Sequence, residues 1–154
     1  MKRIVIQSFA LICVFALMFS GNIHVFASEP RSTMYIISNS CGIERTANEE
    51  FRIMYSINAG TLLDRVGVNY ISIQRSTDQQ SWTTEKTLYY FSYPELVRED
   101  SYTHSGSILY SGKRGYYYRA HIVFLAQKDD NAEGTTMFTK SVYIPQSGNG
   151  GRMN

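Results

Sequence analysis

"GYYYRAHIVFLA", Gly115 to Ala126, sets three tyrosines in a row and then alternates large apolar residues with Arg119 and His121. At a period of two, Tyr116, Tyr118, Ala120, Ile122, Phe124 and Ala126 share one side, and Tyr117, Arg119, His121, Val123 and Leu125 share the other. Successive side chains point to opposite faces only when the chain is extended. The uncharged side therefore reads as core, and the run is predicted to be one long strand. A tyrosine early in such a strand can turn its hydroxyl back onto the backbone of a neighbouring loop, and Tyr116 and Tyr118 are both placed to do so. That hydroxyl needs a partner, because an unpaired buried one costs about 1–3 kcal/mol.

The same period recurs outward in both directions. In "FRIMYSINA" Phe51, Ile53, Tyr55 and Ile57 alternate with more polar residues, and in "NYISIQRS" Ile71 and Ile73 share a face. "MYIIS" from Met34, "WTTEKTLYYF" from Trp82, "HSGSILYSG" from His104 and "TTMFTKSVYIP" from Thr135 complete a set of seven strands. Ser76, Thr77, Asp78 and Gln79 in "STDQQSW" are residue types that close tight turns through side-chain bonds to backbone. "SYPELVRED" is predicted to be a loop or one short helical turn, since Pro94 excludes a central strand. "GTLLDRVG", Gly60 to Gly67, is the one piece with a helical flavour.

The ends of the chain speak to export. Lys2 and Arg3 precede an uncharged apolar run from Ile4 to Phe19, and "VFAS" places Val25 and Ala27 where a signal peptidase needs small residues. Residues 1–27 are expected to be a cleaved signal peptide, because the run falls short of the roughly 20 residues that span a bilayer. Cys13 lies inside that run behind Ile12 and does not mark a lipoprotein. Residues 28–33 form a polar, flexible lead-in, 34–145 the folded domain and 146–154 a Gly-rich disordered tail, so the expected product is secreted with no lasting membrane anchor. Removing Lys2 and Arg3 from fifteen basic residues leaves thirteen against thirteen acidic ones. A neutral domain offers no electrostatic case for nucleic acid.

The quoted strands, in particular "ISIQRSTDQQSWTTEKT", "HSGSILYSGKRGYYYRAHIVFLA" and "TKSVYI", resemble those of an immunoglobulin-like or fibronectin-type-III-like domain. More narrowly, the chain is similar to a family of small signal-peptide-bearing proteins from Gram-positive bacteria, each a single such domain. The resemblance runs from about Phe51 to Ile144 and implies an all-β fold, a single antiparallel β-sandwich of about seven strands. It carries no activity, and the paired cysteines of antibody domains are missing. The mature part holds one cysteine, Cys41, which can stay buried or pair between chains.

The residues that could carry chemistry do not assemble into a known pattern. His104 and His121 lack metal-ligand spacing with Cys41, and no G-x-S-x-G elbow is present. Asp129, Asp130 and Glu133 in "QKDDNAEG" are calcium-type donors without the EF-hand spacing, and Glu44, Glu49 and Glu50 read as solvated loop charges. The expectation is a non-catalytic protein with no cofactor or metal. Its functional colour lies in twelve tyrosines, and Tyr89, Tyr90 and Tyr93 are the candidate ligand-binding patch, facing a protein or a glycan outside the cell. The alternative is a structural protein whose copies pair through Cys41 or an edge strand.

Overall fold

The computed structural model describes residues 35–146, so the segments expected to be a signal peptide (1–27) and a lead-in (28–33), and all but the first residue of the expected tail (146–154), lie outside the described residues. Within them the chain is all-β, with a single 3-10 turn at Pro94–Leu96 and no α-helix. Seven strands run in order: β1 (Ile36–Arg45), β2 (Glu50–Ser76), β3 (Thr83–Tyr89), β4 (Val97–Ser111), β5 (Tyr116–Lys128), β6 (Asn131–Phe138) and β7 (Val142–Ile144). All join one antiparallel sheet.

The organising element is β2, which is 27 residues long. Its first half lies between β1 and β4, with Phe51 opposite Arg45 and Tyr110. Its second half lies between β3 and β5, with Ile71 opposite Leu88 and Ile122. A straight strand would hold Phe51 and Arg75 about 80 Å apart at 3.3 Å per residue. Yet Phe51 packs its ring on Tyr118, the register partner of Arg75. The strand must double back, and the sheet curls into a half-barrel around its own core.

Two register breaks explain the curl. Between Asn58 and Leu63 β2 carries more residues than its partner β4, and between Val68 and Tyr70 it carries one more than β5. Extra residues on one strand of a pair bend it and increase its twist. Gly67 lies between the breaks with φ +154°, packed so closely on the 3-10 turn that a methyl group there would meet the Leu96 carbonyl oxygen. Leu63 and Val66 are both buried although three apart, a spacing that gives Gly60–Gly67 a helical look in sequence, but the segment is the bend of a strand.

The inner faces follow the expected alternation. Phe51, Ile53, Tyr55 and Ile57 from β2 meet Tyr118, Ala120, Ile122, Phe124 and Ala126 from β5, all buried. Tyr116, expected inside, is half-buried at the rim with the Arg75 guanidinium 5.0 Å from its ring centroid. Tyr118 makes the anticipated turn-back: its hydroxyl accepts the Lys113 backbone N–H at 2.8 Å and donates to Glu85 at 3.2 Å.

Strand boundaries differ from the expected ones for identifiable reasons. "FRIMYSINA" and "NYISIQRS" are the two arms of β2, and β1 extends through Cys41 to Arg45. β4 starts at Val97, immediately after the 3-10 turn that Pro94 opens. "KDDNAEG" shrinks to a hairpin turn at Asp129–Asp130, and Thr139 divides β6 from β7. At that point the Thr139 hydroxyl accepts the Ala120 N–H in place of a ladder carbonyl.

Candidate functional site

The outer face of the second arm carries an unbroken series of rings. Register sets Tyr89, Tyr70, Val123 and Thr136 abreast across β3, β2, β5 and β6, with Thr87, Ser72, His121 and Phe138 in the next row. Because Ile71, Ile73 and Ile122 turn inward, these residues turn outward. Phe91 stacks on Tyr89 at 5.1 Å, Tyr89 meets Tyr70 at 5.6 Å, and Tyr70 meets the His121 ring at 6.0 Å. His121 stacks on Phe138 at 4.4 Å. Such offset and edge contacts are the favourable ones for aromatic pairs. Tyr89 is 42% exposed, Phe138 51% and Phe91 72%, so the face is open to solvent.

Arg119 extends the series. Its guanidinium lies 4.2 Å from the Trp82 ring centroid and 4.6 Å from that of Phe138, a cation held between two rings. Nε donates to Gln74 Oε1 at 2.8 Å. Trp82 is itself fixed by the preceding turn, where its indole N–H donates to the Gln79 carbonyl. Asp78 ties that turn by accepting the N–H groups of Gln80 and Ser81, the local side-chain bonding anticipated for "STDQQSW". These bonds, led by that from Ser81, hold the Asp78 carboxyl down at about 2.

Hydroxyl and amide groups are interleaved with the rings: Ser72 with Thr87, Gln74 on Arg119, and Thr136 on His121. Burial, with the Arg119 charge as a second cause, lowers the His121 pKa below its ordinary value of 6.5. The face therefore carries one full positive charge near neutral pH. A ring-lined and hydroxyl-studded surface can stack on and hydrogen-bond a ligand.

The residues singled out from sequence separate here. Tyr89 belongs to the face. Tyr90 and Tyr93 are partly buried against the core, where Arg65 lies 5.2 Å from the Tyr90 ring and the Lys86 ammonium 5.8 Å from the Tyr93 ring. Cys41 packs against the core from β1, and burial pushes its thiol up, away from the thiolate. His104 and the Tyr55 hydroxyl both reach the Glu95 carbonyl, at 2.9 and 3.2 Å, and fasten β4 and β2 to the 3-10 turn. Burial, then the Glu95 charge, pushes Tyr55 up to about 12.

The acidic candidates disperse. Glu133 accepts the Tyr35 N–H, while the Asp129 N–H donates to Asp64. Glu44 pairs with Arg52 and Glu49 with Arg114 at the surface. Among the described residues, no three His, Cys, Asp or Glu gather as metal ligands do. Phe138, Tyr70, Trp82, Phe91 and Arg119 were not singled out from sequence as ligand-binding. One signal was available: Tyr70 falls in phase with Ser72 and Gln74, an aromatic on the polar side of its strand.

No family model matches the chain, and no curated protein matches it. The functional argument therefore rests on this face.

Proposed function

We propose that this chain is an exported, non-catalytic recognition domain that binds a protein surface or a glycan outside the cell through its aromatic face. The observation that carries the reading is the continuous contact series Phe91, Tyr89, Tyr70, His121, Phe138, Arg119 and Trp82 on an exposed sheet surface. Exposed apolar area concentrated in one place on a small domain marks an interaction site. Tyrosine and tryptophan suit it because they bring large area at small entropic cost. Export rests on the basic start, the apolar run and the Val25–Ala27 pattern. The two arms of the curled sheet act as the layers of an immunoglobulin-like or fibronectin-type-III-like sandwich, with β2 running through both.

The test is a screen of the purified protein on glycan and cell-envelope arrays beside a Tyr89→Ala/Phe138→Ala variant. Specific binding that disappears in the variant while its circular dichroism is kept supports the reading. Binding untouched by the double substitution overturns it.

A second reading, self-assembly, has one observation in its favour. Among the described residues β4 pairs only with β2, which leaves a 15-residue strand with an open edge. Sedimentation across a range of concentrations separates the two readings: a persistent monomer removes the second.

A further inference from the structure

The chemistry of the face narrows what it takes. The rings cross β3, β2, β5 and β6, four strands whose spacing of about 4.8 Å sets the outermost axes about 14 Å apart, the length of roughly three sugar units. Pyranose rings have flat C–H surfaces that stack on aromatic rings and an equatorial girdle of hydroxyls that pair with Ser, Thr and Gln side chains. Both kinds of partner alternate here, with Thr87, Gln74 and Thr136 set among the rings.

The charges on the face are one-sided. Tyr89, Tyr70, Val123, Thr136, Thr87, Ser72, His121, Phe138, Gln74 and Arg119 fill its rows, and none is a carboxylate. The four ion pairs among the described residues engage Arg52, Arg65, Arg75 and Arg114, and Arg119 is in none of them. Its guanidinium plane is nevertheless held by Trp82, Phe138 and Gln74. Nε is occupied, which leaves the terminal N–H groups to a ligand. A fork of donors held in place is the geometry that binds a carboxylate through two bonds.

Resting on the recognition reading above, we propose that the aromatic face binds an acidic polysaccharide, stacking its sugar rings on Tyr89, Tyr70 and Phe138 and taking a carboxylate on Arg119.

Affinity electrophoresis and calorimetry of the protein with polygalacturonate, and with the same polymer methyl-esterified, test this. The ester keeps the rings and hydroxyls and removes the charge. Polygalacturonate is expected to bind at least tenfold more tightly than the ester. Arg119→Gln should lose about tenfold for the acid and little for the ester, as the removal of one charge-assisted contact requires. Arg119→Lys, which keeps charge without the planar fork, should fall between, and Arg98→Gln on distant β4 should change nothing. Equal binding of acid and ester, or an unaffected Arg119→Gln variant that retains its fold, overturns the charge assignment and leaves the recognition reading standing. Preference for the ester overturns it in the same way. If neither polymer binds, the proposal fails, and the array screen alone decides the broader reading.

Discussion

The ring of Phe51, one residue into β2, lies 4.9 Å from the ring of Tyr118, whose register partner Arg75 stands at the far end of the same strand. This contact is where the curl closes, and it joins Tyr110 in a three-ring cluster. Phe51→Ala should therefore cost about 3–5 kcal/mol, the range for emptying a large core site. Tyr118→Phe keeps the packing but strands the Lys113 N–H and takes one donor from Glu85, which keeps its ion pair with Arg75, for about 1–2 kcal/mol. Urea unfolding of the two variants measures both. Equal losses would show that the hydroxyl contacts, and not the ring stack, close the curl.

The bend in β2 makes its own prediction. Gly67→Ala forces a side chain into positive φ and against the Leu96 carbonyl, so a loss of about 3 kcal/mol is expected. Gly42 lies in β1, where a new methyl would meet only the mobile end of Met54 at 3.3 Å. Gly42→Ala should be near neutral, or stabilising by up to about 0.5 kcal/mol. Similar melting temperatures for the two variants would refute a special role for Gly67.

Tyr89 and Tyr90 are sequence neighbours with opposite duties. Tyr90→Ala should lower stability by about 1–3 kcal/mol and leave ligand affinity alone, because its ring packs on the core beneath Arg65. Tyr89→Ala should do the reverse, costing about 1 kcal/mol of stability or less while weakening binding. Parallel thermal melts and binding isotherms read both, and a Tyr90→Ala variant that folds normally but fails to bind would contradict the assignment.

His121 links stability to pH. It faces Arg119 on its own strand, Tyr70 from β2, and Thr136 and Phe138 from β6, with no carboxylate among them. Burial first, then Arg119, holds its folded pKa below the ordinary 6.5. Between those two values the unfolded chain binds more protons, so unfolding free energy rises with pH there and falls on acidification through about 6.5. His121→Gln should flatten that part of the stability curve. An unchanged slope in the variant would place the effect elsewhere.

Much of this molecule is legible in local sequence because a strand's side chains alternate with a fixed period. The inner residues of β5 and of the first arm of β2, the Asp78 turn and the backbone-directed Tyr118 hydroxyl all follow from patterns a few residues long. The union of two predicted strands into β2 does not, because the bend between its arms interrupts the period-two alternation that identifies a strand. Leu63 and Val66, both buried and three apart, imitate a helix there.

The candidate face divides along the same line. Sequence by itself determined that Arg119 and His121 point outward from β5 and that tyrosine is abundant, since both are properties of one strand or of composition. Only the tertiary structure decided that Phe138, Tyr70, Tyr89 and Phe91 stand beside them while Tyr90 and Tyr93 turn to the core. Which rings become neighbours depends on register between strands far apart in sequence, with Thr136 66 and Phe138 68 residues beyond Tyr70, and register is fixed by the curl of β2 and the burial of one face.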